Sequence, residues 1–258
     1  MRKIIFITAF TLGTAFTGCI LPGCSSHNGR QADTGDEIMN ILLVTGGHSF
    51  DQDSFFRMFF SLKGLCVDTL SQPRANSALL SDPVTRYDAI VFYDMWQEIS
   101  PEEKEAYLAL TEWGTGLVFL HHSLVSYQEW DEFTAIRGGK YYESGYDYPP
   151  EKLSGYRHDI FMDVTVIDTS HPVTEGLENF RIFDEGYSNI GVLPGVTPLL
   201  TTDHPDCHDI IAWAHTYNSS RVVYILPGHD RHAWENENYQ ALVANSIRWS
   251  AGRDRDGR

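Results

Sequence analysis

The feature that most constrains the fold is the run Met39-Asn40-Ile41-Leu42-Leu43-Val44-Thr45, almost unbroken in its apolar character and stopped by Gly46 and Gly47. A strand apolar on both faces cannot border water on either side, and such strands belong to parallel sheets covered by helices above and below. The chain downstream keeps the matching cadence. Residues 51–62 carry Phe55, Met58, Phe59 and Leu62 at helical spacing, with Gly64 as the stop. Short strands follow over 65–70 and 87–93. Ser100-Pro101-Glu102-Glu103 then opens a helix with a cap, a proline at the first helical position and an acidic third residue. That helix ends by Gly114, and residues 116–121 form a fourth strand. Strands alternating with helices through glycine-rich turns predict an α/β fold with a doubly wound, mainly parallel sheet of flavodoxin-like type. Residues 141–158, aromatic and broken by prolines, read as a loop lying over a site. Residues 210–217 and 222–226 flank Asn218-Ser219-Ser220 as a hairpin, and a last helix runs over 238–249.

The two ends read differently. Arg2 and Lys3 precede an uncharged apolar stretch over 4–16, which predicts a secretory signal over residues 1–18. Gly18-Cys19 just past that stretch predicts lipidation of Cys19; Pro22 makes Cys24 the poorer site. Residues 19–38 are polar and form a tether, 39–252 a single folded domain, and 253–258 a polar tail. The expected protein is therefore exported, and it meets a membrane only through its lipid anchor. A formal net charge of −16 with no basic stripe argues against nucleic acid as a partner. Cys66 and Cys207 lack any CxxC spacing, so they suggest neither a zinc ribbon nor a disulfide scaffold; a bridge between them is left open.

In open α/β sheets, ligands bind beyond the carboxyl ends of the strands. Four polar clusters follow apolar runs here: Gly46-Gly47-His48-Ser49, His121-His122-Ser123, Asp184-Glu185-Gly186-Tyr187 and Gly228-His229-Asp230-Arg231. His121 and His122 would face opposite ways on a strand, and both reach one pocket only if the strand breaks at His121. Histidines that both take and give protons, next to carboxylates, suit acid–base work. His48, His122, Glu185 and His229 are thus the catalytic candidates, with His229 as acid–base residue and Glu185 as its partner. His121, Asp184, Tyr187, Asp230 and Trp234 are expected to bind substrate. Tyr141, Tyr142, Tyr146 and Tyr148 offer rings that stack on pyranoses. No HxH or HExxH spacing occurs, so no metal ligand is assigned. A divalent metal stays an open cofactor, because the same histidines and carboxylate could bind one.

Several blocks together resemble the ThuA-like (trehalose utilisation) family. They are residues 41–48, residues 116–122, His171-Pro172-Val173-Thr174-Glu175-Gly176-Leu177, Asp184-Glu185-Gly186-Tyr187, Ala212-Trp213, and residues 223–230 with Trp234 and Asn236. The resemblance spans about residues 39–252. It implies a fold similar to class I glutamine amidotransferases and a role in catabolism of trehalose, sucrose and related glycosides, beside oxidoreductases that handle 3-keto sugars. A small carbohydrate is the implied ligand. Where amidotransferases carry a nucleophilic cysteine, this chain reads His121-His122-Ser123, which argues against glutaminase activity. Two alternatives use the same pocket: a non-catalytic sugar-binding lipoprotein, and a metal-dependent hydrolase, which requires three of these side chains to converge at coordination distance.

Overall fold

The computed structural model describes residues 38–81 and 86–253. The expected signal and tether before residue 38, Cys19 among them, and the tail beyond Arg253 lie outside the described residues. The strands are β1 (Met39–Gly46), β2 (Leu65–Ser71), β3 (Ala89–Asp94), β4 (Gly116–Leu120), β5 (Gly139–Lys140), β6 (Gly155–Val166), β7 (Phe180–Ser188), β8 (Gly191–Val192), β9 (Thr197–Thr202), β10 (Ile210–Tyr217) and β11 (Ser220–Ile225). The helices are α1 (Gln52–Ser61), α2 (Arg74–Ser81), α3 (Pro101–Trp113), α4 (Asp131–Arg137), α5 (Arg231–Trp234) and α6 (Glu237–Ser250). A small ladder pairs β5 with β8. Every other strand joins one sheet in the order β2-β1-β3-β4-β11-β10-β9-β6-β7.

The first half of that sheet runs parallel from β2 to β11. Its strands form where the sequence is apolar on both faces: every residue of β3 and β4 is buried, as are Ile41, Leu42, Leu43 and Val44 of β1. Phe92 of β3 stacks on Phe119 of β4 with ring centroids 4.8 Å apart, so neighbouring parallel strands interlock above the pleat as well as through their backbones. Local signals set the helices. Asp51 caps α1 by accepting from the Ser54 backbone N–H, and Phe55, Met58 and Phe59 face the core. Ser100 and Glu103 close a capping box on α3, and Gly114 ends it at φ +83.

From β1 the chain crosses to β2 on one side and later to β3 on the other, so the winding reverses between β1 and β3. That reversal opens a crevice at the strand carboxyl ends. The second half of the sheet is an antiparallel extension, β10-β9-β6-β7, with each strand opposed to its neighbour. Four successive reversals bring β7 back to the direction of β11, and its carboxyl end returns to the functional edge.

The extension corrects two expectations. Residues 155–158 of the supposed loop belong to β6, and Asp184-Glu185-Gly186-Tyr187 lies within β7 rather than after it. In both places the strand carries polar side chains into the cleft, His158 from β6 and Glu185 from β7. Cys207 is a free thiol, so the bridge to Cys66 left open by the sequence does not form.

Gly47 shows how tightly the crevice is built. Its φ is +81, and an added Cβ would stand 2.1 Å from the Met95 carbonyl oxygen. A Gly47→Ala variant should therefore be less stable by more than about 1 kcal/mol. Denaturant unfolding reads this directly; an unchanged midpoint would contradict the packing of β1 against the segment after β3.

Candidate functional site

Strand β4 stops at Leu120 because His121 adopts φ +46, a left-handed backbone that breaks the strand and starts a 3₁₀ turn over His121–Val125. Two adjacent histidines thereby leave the alternation of a strand, and both contribute to one site. His48 arrives after Gly46 and Gly47 at the end of β1. His229 follows β11 through Leu226, Pro227 and Gly228; an added Cβ on Gly228 would meet the Tyr239 hydroxyl at 2.3 Å. β7 lies four strands from β11 in sheet order, yet it is pulled onto this turn. The Asp184 carboxylate accepts from the Gly228 N–H at 2.6 Å and the His229 N–H at 3.0 Å. The adjacent Glu185 then points into the site.

Glu185 is the hub. Its Oε2 lies 2.9 Å from His121 Nε2 and 3.2 Å from His229 Nδ1, and its Oε1 lies 3.0 Å from His158 Nδ1. His121 is fully buried, with Nδ1 2.7 Å from the Leu226 carbonyl and Nε2 2.9 Å from the Tyr187 hydroxyl. A ring nitrogen facing a carbonyl must carry the proton, so Nδ1–H donates and the other lone pair sits on Nε2. Burial alone would raise the Glu185 carboxyl, but its close contacts with the His121 and His229 imidazoles overturn that and hold it far below the ordinary carboxylate range. The hydrogen bond to Glu185 raises His229 against the opposing effect of burial.

Across the cleft the electrostatics reverse. Burial, followed by the repulsion of His121 and His229, lowers the pKa of His48; burial with His121 and His48 lowers His122 much further. The two rings stack at 4.6 Å, and His122 packs on Tyr93 at 4.1 Å. Neither His122 ring nitrogen makes a well-formed hydrogen bond among the described residues. One wall is thus ionic and the facing wall is neutral.

The cleft between them is about 190 Å³ in volume, and His48, His122, Glu185, Tyr187 and His229 all line it. All four catalytic candidates therefore meet. His121 sits beneath them, buttressing Glu185. Of the five residues expected to bind substrate only Tyr187 lines the cleft, and besides His121 three others do not reach it. Asp184 is spent on the backbone of the His229 turn, and burial raises its carboxyl despite the neighbouring His121 and those N–H groups. Asp230 caps α5 by accepting from the His232 N–H. Trp234 is core, with its indole N–H donating to the Gly228 carbonyl at 3.0 Å. Of the four tyrosines over 141–148 only Tyr141 lines the cleft, beside Glu143; Tyr142 and Tyr148 pack instead around Lys152.

The main residue that sequence reasoning missed is His158, which lines the cleft with Tyr156. A register shift between Arg157 and Ile160, with Asp159 at φ +58, turns its ring toward Glu185. A histidine among exposed polar residues gives no periodic signal for such a bulge. Three donor atoms that could hold a metal, His121 Nε2, Glu185 Oε2 and His229 Nδ1, lie within 4.8 Å of one another.

Comparison with known proteins adds a family and a fold. The family model described as ThuA, trehalose utilisation, matches residues 40–250. A ThuA-like protein from Parabacteroides merdae has a similar structure, with a TM-score of 0.69 at 19% identity over 85% of this chain and 92% of that one. A second, from Bacteroides uniformis, gives 0.62 at 19% identity over 89% and 98%. A glutamine amidotransferase from Thermotoga maritima gives 0.50 at 11% identity over 83% and 98%. No curated protein matches.

The Asp184 bonds hold the His229 turn, so the carboxylate should be needed for the fold as well as for the site. Asp184→Asn must aim an amide N–H at one of the backbone N–H groups that Asp184 now accepts from. The expected loss is about 1–3 kcal/mol, read as a lower unfolding midpoint. A midpoint equal to that of the unaltered protein would show that the turn is held by other contacts.

Proposed function

The chain belongs to the ThuA family, described by trehalose utilisation, and from that premise we propose that its cleft takes a small carbohydrate and acts on it by proton transfer. The observation that carries this reading is the single carboxylate of Glu185 binding three imidazoles at the strand ends. A carboxylate kept ionised beside imidazoles supplies what general acid–base catalysis needs: a proton carrier and a fixed charge that orients it. His229 and His158 are the carriers, since both hold Glu185 and their side chains stay 26% and 51% exposed to an incoming ligand. His122, buried, and His48, exposed beside it, are both held toward the neutral form and offer hydrogen bonds to uncharged hydroxyl or carbonyl oxygens. Tyr141, Tyr156 and Tyr187 supply ring faces and hydroxyls suited to a pyranose.

Glutamine hydrolysis is no part of the reading. The turn after β4 carries His121, and burial pushes the thiol of Cys207 up to about 12, which leaves little thiolate for nucleophilic attack.

The direct test is turnover of plain disaccharides and their 3-keto counterparts. Replacing a general acid or base costs a factor of ~100 to 10,000 in rate. Glu185→Gln and His229→Ala should each fall in that range while circular dichroism stays unchanged. Sugar binding without turnover by the unaltered protein would reduce the site to a binding site; neither binding nor turnover would end the carbohydrate reading. Export belongs to the same proposal, with the lipid on Cys19. A Cys19→Ala variant should lose lipid label and leave the membrane fraction, whereas retained label would move the anchor to Cys24.

A further inference from the structure

The lone pairs at the hub do not balance. As a neutral ring, His121 places its one proton on Nδ1 toward the Leu226 carbonyl, and Nε2 then presents a lone pair. That lone pair lies 2.9 Å from Glu185 Oε2, which also presents lone pairs, and 3.3 Å from His229 Nδ1. The third side of the triangle, His229 Nδ1 to Glu185 Oε2, is 3.2 Å. Two acceptors cannot face each other at that distance in a buried site without positive charge between them. A proton could supply it, and so could a metal ion.

The spacing and the surroundings favour an ion. Bonds of ~2.0–2.2 Å to imidazole nitrogen and carboxylate oxygen place tetrahedral donor atoms roughly 3.3–3.6 Å apart; the two sides that meet at His229 Nδ1, 3.2 and 3.3 Å, fall close to that value, and the His121–Glu185 side is shorter at 2.9 Å. Each donor is also held from behind. The Leu226 carbonyl fixes the tautomer of His121, and His158 Nδ1 holds the other oxygen of Glu185. The backbone of His229 is fixed by the Asp184 carboxylate and the Tyr93 hydroxyl. Metal-ligating side chains characteristically carry such outer partners. The three donors come from the ends of β4 and β11 and from within β7, so one ion would tie the two halves of the sheet together.

We infer that His121, Glu185 and His229 form a three-coordinate protein site for a divalent first-row transition metal, open on the side of the cleft. Two imidazoles and one carboxylate suit zinc, cobalt or iron better than calcium or magnesium. An ion here takes Nδ1 of His229 and leaves His158, on the far oxygen of Glu185, as the imidazole free to carry a proton. The inference goes beyond the carbohydrate reading and stands whichever sugar the cleft accepts.

The test uses the full chain, stripped with a chelator and titrated with Zn²⁺ or Co²⁺ alone. Expected are one equivalent of zinc retained through gel filtration, a rise in melting temperature on loading, and a visible absorption band of low-symmetry Co²⁺. Glu185→Gln and His229→Ala should lose the band and the equivalent, while His48→Ala keeps both. His121→Ala removes a buried side chain and could unfold the protein, so the two partly accessible ligands decide the outcome. Sub-stoichiometric zinc in the unaltered protein would overturn the site, as would full retention by folded Glu185→Gln and His229→Ala. Sugar binding by the stripped protein, followed separately by calorimetry, tells failure of the metal site from failure of the carbohydrate reading.

Discussion

The structure turns on two neighbouring carboxylates pointing opposite ways. On a strand, successive side chains alternate, so Asp184 and Glu185 cannot do the same task. Asp184 accepts from the Gly228 and His229 backbone and draws the edge of the antiparallel extension against the last parallel strand. Glu185, on the other face, gathers side chains from the turn after β4, from β6 and from the His229 turn. Both carboxylates are buried, a state that is tolerable only because each meets donors on arrival. The fold and the site are thus coupled through one dipeptide.

The sequence and the structure agree best where burial is two-sided. The runs in β1, β3 and β4 are apolar on both faces, and the sequence indicates them as parallel strands for that reason. Helices α1 and α3 carry caps that act locally, so their starts are visible without tertiary context. Legibility fades in β6, whose alternation of Ile160, Met162, Val164 and Val166 is clear only past the bulge, and in β9, which is short and bordered by polar residues.

The site divides along the same line. His48, His122 and His229 follow apolar strands and are visible as strand-end residues. The function of Asp184 is hidden because its partners are backbone groups more than forty residues away. Trp234 and Asp230 resemble site residues by position alone; one fills the core and the other ends a helix. His158 depends on an irregular turn within a strand, which no periodic pattern announces. What the sequence identifies is which segments reach the edge, and what it leaves to the fold is which side chains turn inward.

The left-handed backbone of His121 has a consequence for how this position can vary. A residue other than glycine held at φ +46 is strained by about 1–3 kcal/mol, and glycine would relieve that strain. Yet glycine would also delete the imidazole on which Glu185 rests. Mutational drift toward stability and retention of the site therefore pull in opposite directions at this one codon. The backbone strain at His121 is thus tied to the site it serves, since only the imidazole gives a reason to keep a side chain there.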